Sequence, residues 1–134
     1  MFIQGLNHVN IRVKDPAATF AFFVEVLGMT AERWPEGKIA RGGRLLDAAG
    51  NDILHIGGAD SPYPSDQWRP FDAEITGGPV HHVALSCAGY NVLCERLDKL
   101  GVAYRRNEIP QMNLRQLFVV EPGGVMLELN FRGD

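Results

Sequence analysis
Apolar and polar residues alternate through residues 6–13 (LNHVNIRV). Val9, Ile11 and Val13 share one face and His8, Asn10 and Arg12 the other, the period of a half-buried strand. Asp15-Pro16 then supplies an N-cap and a proline for the first helical turn. Phe20, Phe23, Val24 and Leu27 follow at helical spacing, and Gly28 stands where a helix closes. Three strand-like stretches come next, 29–34, 38–47 and 52–57, with Ala49-Gly50-Asn51 as the turn between the last two. The same order returns later: a strand at 80–87, a helix over about 90–100 ending at Gly101, and strands near 102–107, 115–121 and 124–131. Glu121-Pro122-Gly123-Gly124 is the turn before the last of these.

The recurrence extends to the residues themselves. HVNIRV begins at His8 and HVALSC at His82, an offset of 74. Gly28 and Gly101 are 73 apart, as are Gly50 and Gly123, and His55 and Glu128. Shared offsets of this kind mark a tandem duplication. The chain therefore reads as an α+β protein of two βαβββ units, about 1–57 and 80–134, forming a single domain. Residues 58–79, with four prolines, join them as a long ordered loop whose Trp68 and Phe71 are expected to fold onto something apolar.

Composition narrows the class further. A chain of 134 residues with 46% hydrophobic and 22% charged positions is an ordinary globular domain. A net charge of −3 offers no footprint for nucleic acid or an anionic membrane. No apolar run is long enough to span a bilayer, and MFIQGLNHVN lacks the features of a signal peptide, so a cytoplasmic protein is expected. Cys87 and Cys94 are read as reduced thiols, being too few for a disulfide framework.

The chemistry gathers on the duplicated strands. His8 and His82 open the two units at equivalent positions, and His55 and Glu128 occupy equivalent positions in the strands that close them. Glu128 lies in VMLELNF, where Met126, Glu128 and Asn130 share a face opposite Leu127, Leu129 and Phe131. A carboxylate there is costly without a partner, and a divalent metal held by three imidazoles and that carboxylate meets the cost. Such a set suits Zn, Mn, Fe(II), Ni or Co and leaves one or two positions open for water or substrate. His81, beside His82 on the opposite face and matched only by Asn7, is read as structural.

The stretches NHVNIRVKDPAATFAFFVEVLGM, DILHI, HHVALSC and RQLFVVEPGGVMLELNF resemble the vicinal oxygen chelate superfamily of glyoxalase I, fosfomycin-resistance proteins, methylmalonyl-CoA epimerase and extradiol dioxygenases. The resemblance implies a curved mixed-sheet cup, a divalent metal on His8, His55, His82 and Glu128, and a homodimer whose sites form between subunits. It also implies an enzyme, glyoxalase-like or dioxygenase-like, acting on a small molecule whose adjacent oxygens bind the metal. Glu128 is then the candidate base. Arg41, Arg44 and Arg115 are candidates for holding a substrate carboxylate. Trp34, Phe118 and Met112 are candidates for an apolar lining. Glyoxalase I-like enzymes carry glutamate, and epimerases glutamine, where this chain has His55. Extradiol dioxygenases carry a tyrosine and a histidine where it has Phe118 and Ile109. The other reading is a metal-free protein that sequesters a ligand, as bleomycin-resistance members do.

Overall fold
The computed structural model describes residues 4–34, 42–61, 66, 68, 70–74 and 80–133. It divides into two compact units, 1–78 and 79–134. The first contains strand β1 (Val9–Val13), helix α1 (Pro16–Ala21) running into a π-helical turn (Phe22–Val26), and strands β2 (Thr30–Arg33), β3 (Gly43–Leu46) and β4 (Asp52–Gly58). The second contains β5 (His82–Cys87), α2 (Tyr90–Leu100), β6 (Arg105–Ile109), a 3₁₀ turn (Pro110–Met112), β7 (Leu114–Val120) and β8 (Met126–Arg132). Both sheets are mixed and share one topology, β1-β4-β3-β2 and β5-β8-β7-β6. The first and last strands of each unit run parallel, and the other neighbours are antiparallel.

Alternation dictates which face of each sheet is buried. Ile11, Val13, Leu45, Leu54 and Ile56 form the core of the first unit with Phe20 and Phe23 of its helix. Leu117, Val119, Leu127, Leu129 and Phe131 do so in the second with Tyr90, Cys94 and Leu97 of α2. Tyr90 meets Phe131 edge to face, ring centroids 5.3 Å apart. Burying these side chains contributes on the order of 1.5–3 kcal/mol each before entropy is counted.

Strand pairing confirms the duplication and explains its shifting offset. Asn10 pairs with His55 and Ala84 with Glu128, so the first strands match at 74 and the last at 73. Each change of offset on the first unit's side coincides with one inserted residue. The π-helical turn holds one more residue than the matching part of α2; Leu27 N–H bonds Phe22 C=O, the wide i→i+5 step. That turn also corrects the predicted apolar face. Phe22 and Val26 are buried, whereas Val24 is 39% exposed, because the wide turn rotates later residues away from regular helical spacing. The second insertion is a bulge in β4: Leu45 pairs with Leu54 but Leu46 with Asp52, leaving Ile53 unpaired.

The turns between the last two strands match closely. Asp47 and Glu121 each accept backbone N–H bonds from residues two and four positions on, Ala49 and Asn51 in one case, Gly123 and Val125 in the other. Gly50 and Gly124 take the left-handed conformation there, φ +83° and +99°, so Gly124 rather than Gly123 is the structural partner of Gly50.

Other expectations shift at the edges. β6 begins at Arg105 rather than near 102, since Gly101 N–H and Val102 N–H are used to close α2 on Asp98 and Leu97. The predicted strand 38–47 is described only as Gly43–Leu46, and residues 38–41 lie outside the described part. Trp68 does not fold onto apolar neighbours but is 92% exposed. The loop is tied down by charge instead. Arg12 bonds Asp66 at 2.6 Å and the carbonyls of Gly58, Ala59 and Ser61, while its guanidinium lies 5.1 Å from the centre of the half-buried Phe71 ring. Cys94 is a buried free thiol. Among the described residues no helix is long and apolar enough to cross a membrane.

Candidate metal and substrate site
Each unit brings one predicted ligand pair together. Asn10 faces His55 across β1 and β4, so the first strand carries His8 toward the His55 side chain. The two imidazoles stack, centroids 3.8 Å apart and planes 16° from parallel. In the second unit, His82 Nε2 lies 3.7 Å from Glu128 Oε1.

In three of these four side chains, one polar atom is engaged and the other is left over. His8 Nδ1 donates to Asn7 Oδ1 at 2.7 Å, leaving Nε2. His55 Nε2 donates to Asp52 Oδ2 at 2.9 Å, leaving Nδ1. Glu128 Oε2 accepts from Asn130 Nδ2 at 2.9 Å, leaving Oε1. His82 Nδ1 meets His81 Nδ1 at 3.0 Å, one ring donating and the other accepting. An imidazole held at one nitrogen by a carboxylate or carbonyl, with a lone pair at the other, is the usual state of a metal-ligating histidine. The donor set therefore suits a divalent ion in its chemistry. Among the described residues no group of three or more His, Cys, Asp or Glu side chains is arranged to hold a metal ion.

Around His55 lies an ionic chain that sequence reading missed. Arg44, opposite His55 on β3, bonds Glu32 Oε2 through Nε (2.9 Å) and Nη2 (2.5 Å), and its Nη1 reaches Asp52 Oδ2 at 3.5 Å. Hydrogen bonding and charge from Glu32, with a smaller part from Asp52, raise the Arg44 pKa above its ordinary value. Arg44 is thus neutralised by two carboxylates. Asp52 reaches His55 because of the β4 bulge, which returns a residue three positions away to the same face. Trp34 meets His55 edge-on at 5.2 Å. Two buried side-chain atoms have no hydrogen-bond partner among the described residues, Trp34 Nε1 and Asp52 Oδ1, and both residues contact His55.

Around Glu128 the neighbours are amides. Asn107, Gln116 and Asn130 stand directly opposite one another on β6, β7 and β8. Asn107 Nδ2 donates to Gln116 Oε1 (2.7 Å), Gln116 Nε2 to Asn130 Oδ1 (3.0 Å), and Asn130 in turn to Glu128. Asn130 was legible as sharing the Glu128 face; Asn107 and Gln116 were not, because their alignment depends on register across two further strands.

The remaining predicted residues fall in different places. Phe118 is paired with Glu128 across β7 and β8. Arg115 alternates to the other face, where its guanidinium sits 4.0 Å from the Tyr90 ring centre beside α2, and is not brought to Glu128. Met112 is about half exposed in the 3₁₀ turn. Arg41 lies outside the described residues.

Comparison with known proteins agrees with this architecture. The family model described as the glyoxalase/bleomycin resistance protein/dioxygenase superfamily matches residues 5–129. The chain belongs to that superfamily. Among solved structures, a glyoxalase family protein from Bacillus anthracis superposes with a TM-score of 0.67 at 23% identity, covering 98% of each chain. A lactoylglutathione lyase from Agrobacterium tumefaciens gives 0.64 at 14% identity over 98% of this chain and 96% of that one. A fosfomycin resistance protein from Listeria monocytogenes gives 0.63 at 21% identity over 97% and 94%. At these identities the likeness is one of fold. No curated protein matches the chain in sequence.

Proposed function
We propose that this protein is a metal-dependent enzyme of its superfamily, acting as a cytoplasmic homodimer on a small molecule with two adjacent oxygens. His8, His55, His82 and Glu128 hold one divalent ion per site, with Zn, Fe(II), Mn and Ni as the candidates. The observation that carries this reading is the arrangement of donors. In His8, His55 and Glu128 one polar atom is anchored by an Asn or Asp, which leaves the other for coordination. The metal, when bound, supplies positive charge that stabilises oxyanion character in the substrate. Glu128 is the candidate base, its Oε1 being open to a proton only when it does not hold the ion. Trp34 and Phe118 flank the ligand pairs and contact the substrate. Arg44, paired with Glu32 and Asp52, orients Asp52 beside His55. The lyase activity named for the Agrobacterium tumefaciens structure makes a lyase or isomerase reaction the first class to assay.

Metal analysis after purification without chelator tests this reading. The expected result is one transition-metal ion per chain, with uptake lost in His82→Ala and weakened in Glu128→Gln. Absence of stoichiometric metal after reconstitution, with both variants identical to wild type, would overturn it and favour ligand sequestration.

A further inference from the structure
We infer that Gln116 is a positioning residue for Glu128, the middle link of an amide relay that fixes which carboxylate oxygen is left available. The inference deepens the proposed function, since it rests on Glu128 being a ligand or base there. It starts from a difference between amides and carboxylates. A carboxylate only accepts hydrogen bonds, so Asn130 must turn its Nδ2 toward Glu128 Oε2. That choice leaves Asn130 Oδ1 facing back across the sheet, where only a donor can meet it. Gln116 supplies Nε2 at 3.0 Å, and its own Oε1 then requires the Nδ2 of Asn107, which stands at 2.7 Å. One anion thus sets the orientation of three amides in succession.

The relay spans three strands because the three residues are direct cross-strand partners. It runs from the exposed Asn107 to the buried Gln116, which is 7% exposed, and on to the half-buried Glu128. Each amide polarises the next in the same sense, so the last N–H is a stronger donor than an isolated asparagine. Glu128 is held at Oε2, and Oε1 remains on the His82 side at 3.7 Å from Nε2. The carboxylate sets the polarity of the relay, and the relay in return holds Oε2 at a fixed place through a chain of partners anchored on two further strands.

The test uses the full chain with Gln116→Met, which keeps length and removes the amide, and Asn107→Ala at the exposed end, where folding is least at risk. The readouts are the Glu128 carboxyl ¹³C shift, the Asn130 side-chain amide signals, and Co(II) affinity followed by absorbance. Both NMR signals should move in both variants, more in Gln116→Met. Co(II) binding should weaken about 10-fold in Gln116→Met and roughly 2-fold in Asn107→Ala, as for groups that orient metal ligands. Unchanged Glu128 and Asn130 signals in both folded variants, with only the melting temperature altered, would overturn the relay. If wild-type protein takes up no Co(II), the metal reading fails, and the NMR signals alone still decide whether the relay orients Glu128.

Discussion
The two units repeat one backbone but surround their ligand pairs differently, and strand register shows where they part. By register Trp34, Gly42 and Gly57 of the first unit correspond to Asn107, Gln116 and Asn130 of the second. Two glycines leave the sheet face bare, and the single indole of Trp34 reaches His55 instead. In the second unit three amides fill the same positions and bond in series, the last of them to Glu128. An imidazole ring N–H needs an acceptor, and Asp52 supplies one beside the indole of Trp34. An anion needs donors. The duplication thus conserves the pairing that brings first and last strands together, and the flanking positions adapt to the charge of the residue they support.

That comparison can be broken at its core first. Leu54 and Leu127 are repeat equivalents, 1% and 0% exposed. Each Leu→Ala substitution should cost about 2–5 kcal/mol in chemical denaturation, with similar values for the two. A loss under about 1 kcal/mol at either position would show that its unit is not packed as described.

The turn carboxylates should differ more. Glu121 is 1% exposed and accepts from Gly123 and Val125. Its replacement by Ala strands those donors and should cost roughly 2–3 kcal/mol. Asp47 makes the equivalent bonds at an exposed turn, so Asp47→Ala should be clearly milder by the same assay. Equal losses would mean that burial does not distinguish the turns.

Arg12 sharpens the contrast between β1 and β5. Its side chain is 9% exposed and gathers Asp66 with three loop carbonyls, whereas Ser86 stands at the matching position of β5. Arg12→Met should cost roughly 2 kcal/mol, measured as a shift in the denaturation midpoint. It should also speed proteolysis within 58–74. Ser86→Ala should leave stability near wild type.

The smallest effect is one of pH. Backbone and side-chain hydrogen bonds from Asn51, then from Ala49 and Gly50, hold the Asp47 carboxyl below the ordinary aspartate range. A lowered folded pKa gives stability that is present above the unfolded value and lost as pH falls through the folded one. Carboxyl NMR should place the Asp47 midpoint below that of a model peptide, and Asn51→Ala should raise it. A midpoint at the ordinary value would remove this bonding from the turn.

Much of this was legible in the chain. The alternation of 6–13 and 126–131, the helix-ending glycines and the shared offsets determine two βαβββ units, their inward faces and the equivalence of His8 with His82 and His55 with Glu128, because strand and helix periods are local properties of sequence. What the tertiary structure decided depends on register between strands far apart in the chain. The bulge at Ile53 turned Asp52 toward His55, the wide helical turn buried Val26 in place of Val24, alternation on β7 carried Arg115 to the helix side, and three amides lined up behind Glu128. One inserted residue changes which side chains face each other, and periodicity within a segment carries no record of that.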